Sequence, residues 1–250
     1  MSVNLRKILI IAIAAHGLIA SAQSSQQKGD YNSISIKAER FYDFHDWNSA
    51  VAMYELMLSQ RPTCVDTYAS ACVATGMAND TIKQMSLMER SQMNAVAVDS
   101  LLTKVRVKAI ALGEPDVYET FLYRVKRAQP WSSRMIDIRL LDFYKFRNDS
   151  KMVILTASRL LQRTPDNNKF IGDMANAYME LGEYSNSMEC YKKILETDSV
   201  NLTALLAIGN YYESIKEYDV ALPYLERAYS QNPTPYLKNL ITKINVALEQ

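Results

Sequence analysis

The chain has 250 residues, of which 48% are hydrophobic and 22% charged, with 7 Gly and 7 Pro. That is an ordinary globular composition, long enough for one large domain or an extended array. A formal net charge of +1 argues against a nucleic-acid binder, and sixteen Tyr with twelve Met suit helix-on-helix packing.

The first element is an export signal. Arg6 and Lys7 precede an apolar run from Ile8 to Ala20, and Ala20-Ser21-Ala22 is the small-residue pattern at which a signal peptidase cuts. The run is shorter than the ~20 residues of a membrane span, and retention as an uncleaved anchor is the alternative. No Cys follows it to carry a lipid, and no later segment reads as a span. Residues 1–22 are therefore expected to be removed, leaving a chain with a net charge of −1 outside the cytoplasm, in the periplasm or cell envelope of a bacterium or otherwise secreted. Residues 23–30 are polar and expected to form a flexible lead-in.

Self-similarity then recurs at a spacing of 34 residues. The segment beginning Gly182-Glu-Tyr aligns with the one beginning Lys216-Glu-Tyr, and one step back lies Asn148-Asp-Ser. The spacing predicts helical hairpins over blocks 134–167, 168–201 and 202–235, and His45-Asp-Trp-Asn-Ser-Ala sets another over 31–64. Blocks 65–98 and 99–132 keep helical periodicity but fit loosely: Arg106 fills a place for a small residue, and Thr75-Gly76 fill one for an aromatic. Residues 236–250 form an amphipathic helix, with Leu237, Leu240, Ile241, Ile244 and Leu248 on one stripe, expected to cover the apolar face that the last hairpin leaves open. Cys64, Cys72 and Cys190 are odd in number and poorly spaced for a disulfide framework, so they read as packing residues.

The block pattern resembles the tetratricopeptide repeat family, whose unit is two antiparallel helices in 34 residues. Its small place in the first helix is filled by Ala38, Ala175 and Gly209, and its aromatic place one turn on by Phe41, Tyr144, Tyr178 and Tyr212. The small place opening the second helix holds Ala50, Ser187 and Ala221; the bulky place after it holds Tyr54, Tyr191 and Leu225. Pro62, Pro165 and Pro233 end their units, while Ser199 replaces proline in the fifth. The resemblance covers four good repeats and two degenerate ones from Tyr31 to Pro235. It implies an all-α, right-handed superhelical solenoid of about six helix-turn-helix repeats plus a C-terminal capping helix.

Reactive groups are scarce. After signal removal only His45 remains of the histidines, at a turn where the family often has Gly, and CxxC, HExxH, phosphate-loop and dinucleotide patterns are absent from the sequence. Carboxylate pairs such as Asp43 with Asp46, or Glu180 with Glu183, flank turns where solvated charge is expected. No catalytic residue, metal ligand or cofactor is assigned, and the chain is expected not to be an enzyme.

The resemblance implies that the first helix of each unit lines a concave surface that holds a protein or peptide partner. The inward polar candidates are Glu39 and Tyr42, Arg139 and Asp142, Asp173 and Asn176, and Asn210 and Glu213. Asn176 and Asn210 hold equivalent places, where an amide can donate to and accept from an extended backbone; chance alignment of two solvated Asn is the bland alternative. The Lys-Asn-Asn-Lys-Arg clamp of the family's chaperone-tail receptors is incomplete, with Gly172 and Ala207 at matching places although Asn176 is retained. Residues 100–165 sum to +7, between −3 over 23–99 and −5 over 166–250, which reads either as a dock for an acidic segment or as solvated convex faces. Two roles are thus open: an adaptor that holds a peptide in its groove, and a permanent structural subunit of an envelope assembly that packs through its edges or convex side.

Overall fold

A computed structural model describes residues 30–249. The expected signal peptide, residues 23–29 and Gln250 lie outside the described residues, and Asp30, read as the end of the lead-in, is helical. The described residues form thirteen α-helices, one 3₁₀ turn and no strand. The helices are α1 (30–43), α2 (Trp47–Gln60), α3 (Val65–Met77), α4 (Thr81–Met93), α5 (Val98–Ala111) and α6 (Pro115–Ala128), followed by the 3₁₀ turn Pro130–Ser132. Then come α7 (Ser133–Phe146), α8 (Ser150–Leu161), α9 (Asn168–Glu180), α10 (Tyr184–Thr197), α11 (Leu202–Ser214), α12 (Tyr218–Gln231) and α13 (Pro235–Leu248). The architecture is all-α, as expected.

One local device starts every even-numbered helix from α2 to α12. The preceding helix ends on a residue with positive φ: His45, Asn79, Gly113, Asn148, Gly182 or Lys216. An acidic residue follows each one as the N-cap: Asp46, Asp80, Glu114, Asp149, Glu183 or Glu217. The backbone N–H of that acid reaches back to a carbonyl of the finished helix, as from Asp149 to Tyr144 at 3.0 Å and from Glu183 to Tyr178 at 2.9 Å. The left-handed residue thus satisfies carbonyls that the helix end would otherwise orphan, and the acid faces the positive end of the next helix. His45 occupies this helix-ending place with φ of 59°.

The chain divides into two compact units between Pro130 and Trp131. In the first, α3 is the centre. Every residue from Thr67 to Thr75 is buried, and α2, α4, α5 and α6 all pack on it. Its Ala69, Ser70, Ala71, Cys72 and Ala74 are small enough to admit neighbours on all sides, and a helix apolar all round belongs inside. Part of the packing is polar. Gln84, fully buried at the place that Ala50, Ser187 and Ala221 fill in three other repeats, donates from Nε2 to the Cys72 carbonyl at 2.7 Å and accepts from Arg124 Nη1 at 2.7 Å. Arg124 also donates to Asn79 Oδ1 at 3.0 Å. Gln92 and Gln129 exchange two amide bonds at 3.2 and 2.9 Å.

The second unit runs from α7 to α13 with each helix packed on the next in the chain. Ile171, Ala175, Met188, Tyr191, Ile194 and Ile208 belong to one buried cluster, and Leu205, Ala221, Leu225, Leu237 and Ile244 to the next. Ser187 sits against α9 and donates to the Ala175 carbonyl at 2.9 Å. Gly209 lets α11 lie against α12 so closely that a Cβ there would meet Leu225 Cγ at 2.7 Å. The last helix, α13, packs on α12 through buried Leu237 and Ile244, with Leu240 and Ile241 half-buried and Leu248 exposed.

Candidate functional site

In the second unit the odd-numbered helices carry two adjacent concavities. One is lined by Lys145 of α7 with Asp173, Asn176 and Met179 of α9. The other is lined by Met179, Tyr184, Ala207, Asn210, Tyr211 and Ser214. Met179 is common to both, so Asn176 and Asn210 stand on one continuous wall. Their surroundings differ through one residue in the helix behind. Tyr191 donates its hydroxyl to Asn176 Oδ1 at 2.5 Å, which fixes the amide with its NH₂ left to donate. In the next repeat the equivalent residue is Leu225, which has no hydroxyl and leaves both ends of the Asn210 amide available. Tyr184 and Tyr211 stack at 5.4 Å beside Asn210 and give that concavity an apolar floor.

The other expected groove residues separate into distinct roles. Asp173 is buried and paired with Lys145 Nζ, while its Oδ2 has no partner. Glu213 pairs with Lys243 of α13 at 2.9 Å and so ties the last helix to α11; the pairing raises the Lys243 pKa. Arg139 is half-buried and Asp142 exposed, outside both concavities.

Glu39 and Tyr42 line a pocket of about 600 Å³ in the first unit, together with Asp43, Tyr54, Cys64, Ser70 and Lys108. The Tyr42 hydroxyl is shut from solvent without a hydrogen-bond partner. Burial raises the Tyr42 pKa, with Tyr54 and Asp43 adding to the effect. Burial likewise pushes Tyr54 up to about 12; a hydrogen bond with Ser70 works against the rise, and Glu39 and Asp43 reinforce it. Sequence reading missed Tyr54, which lies on a second helix, Met179, which is apolar, and Lys108 and Tyr211, which stand on first helices at places other than those chosen.

The basic stretch between 100 and 165 is partly committed to internal structure. Arg124 is held by Gln84 and Asn79, Lys104 meets Asp66 at 3.0 Å, and Lys145 holds Asp173. The three cysteines are free thiols, and burial pushes the Cys72 thiol up to about 12. Among the described residues no group of three or more His, Cys, Asp or Glu is placed to hold a metal ion, and no helix is long and apolar enough to cross a membrane.

The tetratricopeptide repeat model matches residues 170–201 and 202–235, the span that contains Asn176 and Asn210. No match was found among curated proteins. Among solved structures the chain is similar to a Bacteroides ovatus protein proposed to bind protein (18% identity, 74% of this chain and 98% of that one, TM-score 0.50). It is also similar to a chain of the Naa15/Naa10 complex bound to HypK-THB (14% identity, 88% of this chain and 34% of that one, TM-score 0.51). PilW, a type IV pilus biogenesis factor, aligns over 84% of this chain and 98% of its own at 13% identity and a TM-score of 0.49. The first two likenesses, at these identities, speak to fold alone. Residues 170–235 thus carry two tetratricopeptide repeats by sequence, and paired helices continue on the same period through the rest of the second unit.

Proposed function

We propose that the protein is a non-catalytic adaptor that holds an extended segment of a partner protein along the odd-numbered helices of its second unit. The observation that carries this reading is the shared wall of Asn176, Met179 and Asn210, on which two amides in equivalent places flank apolar floor. Amides so placed pair with a peptide backbone whatever its side chains, while Met179 and the Tyr184–Tyr211 stack supply adaptable apolar contact. With the signal-like residues 1–22 removed, the adaptor works outside the cytoplasm, in the envelope of a bacterial host or as a secreted protein.

The test compares Asn210→Ala with Asn176→Ala in binding to a partner captured by mild crosslinking of the tagged chain in its native envelope. Asn210→Ala should weaken binding with no change in melting temperature. Asn176→Ala should weaken binding and also lower stability by about 0.5–1 kcal/mol, since the Tyr191 hydroxyl loses its acceptor. Unchanged affinity in both variants overturns the groove reading.

A second reading, a permanent structural subunit, is favoured by a different observation. Apolar side chains stand open at the turns between paired helices: Phe44 is 82% exposed and Ile82 86% in the first unit, and Phe146, Leu181 and Ile215 are also exposed in the second. A stoichiometric set of large co-purifying proteins, lost on Phe44→Ser with Ile82→Ser, would select that role over the groove.

A further inference from the structure

The pocket of the first unit differs in chemistry from the wall of Asn176 and Asn210. Glu39 and Asp43 lie four residues apart on α1 and flank Tyr42 on the pocket rim. Like charges at that spacing on one helix repel, and among the described residues neither carboxylate has an ion-pair partner. The equivalent places in the second unit read Asp142 and Phe146, Asn176 and Glu180, and Asn210 and Ser214, so the acidic pair belongs to this repeat alone. Asp66 adds a third carboxylate, shared with Lys104, and Lys108 is the one cation among the lining residues.

The walls between these charges are aromatic. Tyr42 and Tyr54 meet edge to face with ring centroids 6.4 Å apart, and Trp47 stands edge-on to Tyr42 at 5.3 Å. Aromatic faces beside unpaired carboxylates attract a cation doubly, through the ring quadrupole and through charge. Both carboxylates lie close enough to Tyr54 to add to the rise in its pKa that burial causes. The same unit already shows the contact type, since the Arg61 guanidinium lies 3.8 Å over the Tyr31 ring.

We propose that this pocket receives a lysine or arginine side chain of an extended polypeptide, with Glu39 and Asp43 as its counter-charges and Tyr42 and Tyr54 as its walls. The proposal rests on the reading that this protein holds polypeptide segments, and adds a basic anchor to what it selects. A basic side chain suits the site because its apolar stem can lie along the tyrosines while its charged end stays at the carboxylate rim.

Cys64 provides a local readout. It lines the pocket and is half-buried, whereas Cys72 and Cys190 are buried. Iodoacetamide modification of Cys64 in the full chain, followed by mass spectrometry, should slow saturably with acetyl-Ala-Ala-Lys-Ala-Ala-amide but not with the norleucine or glutamate counterpart. Glu39→Gln with Asp43→Asn, both at exposed positions, should raise the half-protecting concentration about tenfold with unchanged melting temperature. Asn210→Ala should leave Cys64 protection as it is. Equal protection by the norleucine peptide, protection by none of the three, or insensitivity to the Glu39/Asp43 change each overturns the cation pocket. Loss of Cys64 protection with retained Asn210 dependence of partner binding separates failure of this pocket from failure of the groove.

Discussion

The two units use one chain period to build different interiors. In the second, the last two helix pairs close on small residues: Ala175 and Ser187 in one repeat, Gly209 and Ala221 in the next. In the first, α3 is surrounded by four helices and the equivalent of Ser187 is Gln84, which reaches a carbonyl on one side and a guanidinium on the other. The period therefore needs a helix of the right length and a turn of the right backbone, while the closing contact can be apolar or polar. An apolar contact tolerates partial collapse when trimmed. A buried polar contact is sensitive to the loss of either partner.

The largest effect should come from the tight apolar contact. Gly209→Leu places a branched side chain where even a Cβ meets Leu225 at 2.7 Å, and should destabilise by about 3 kcal/mol in chemical denaturation. A variant as stable as the parent would break the close-packed account of the second unit. Next come matched substitutions at equivalent places. Gln84→Ala leaves the Arg124 guanidinium without its buried acceptor and opens a void beside α3, for about 2 kcal/mol. Ser187→Ala removes a hydroxyl from a carbonyl that α9 already engages, for less than about 1 kcal/mol. Equal losses at the two places would erase the contrast between units.

Much of the helical pattern is legible in the sequence, for a physical reason. Tyr144, Tyr178 and Tyr212 fill the same space in successive hairpins, so their spacing is visible in one dimension. Gln84 and Arg124 were not legible as partners, because a glutamine in a small-residue place makes sense only once a donor forty positions on is seen beside it. The candidate site divides the same way. Asn176 and Asn210 were found from spacing, yet no feature of sequence tells that Tyr191 holds one amide while Leu225 leaves the other unheld. Glu213 was chosen as an inward polar residue, but Lys243, thirty residues on, pairs with it.

The smallest expected effect tests the ionic seam between α2 and α4, where Glu55 meets Lys83 at 2.9 Å and Arg90 at 2.6 Å. Burial alone would raise the Glu55 pKa, but the hydrogen bonds from Lys83 and Arg90 prevail and lower it below its ordinary 4.5. A depressed carboxylate stabilises above its unfolded pKa, and that contribution fades as pH falls through the folded value. Glu55→Gln should therefore lower stability at neutral pH by about 0.5 kcal/mol, screened as surface pairs are. The gap from the parent should narrow on acidification below 4.5. A gap that is constant with pH would mean that Glu55 contributes through packing alone.

The left-handed turn residues have a consequence for engineering. Six turns share one backbone conformation but spell it with His, Asn, Gly and Lys. His45 is stacked on Trp47 at 4.9 Å and Asn79 is held by Arg124, so each has a second task. Lys216, exposed and carrying a long side chain at φ of 63°, has the least reason to stay. Replacing it with glycine should relieve about 1 kcal/mol of backbone strain without touching a packed residue. The array thus keeps headroom at its hinge points: it can be hardened there, or recut into interchangeable cassettes, while its binding walls stay as they are.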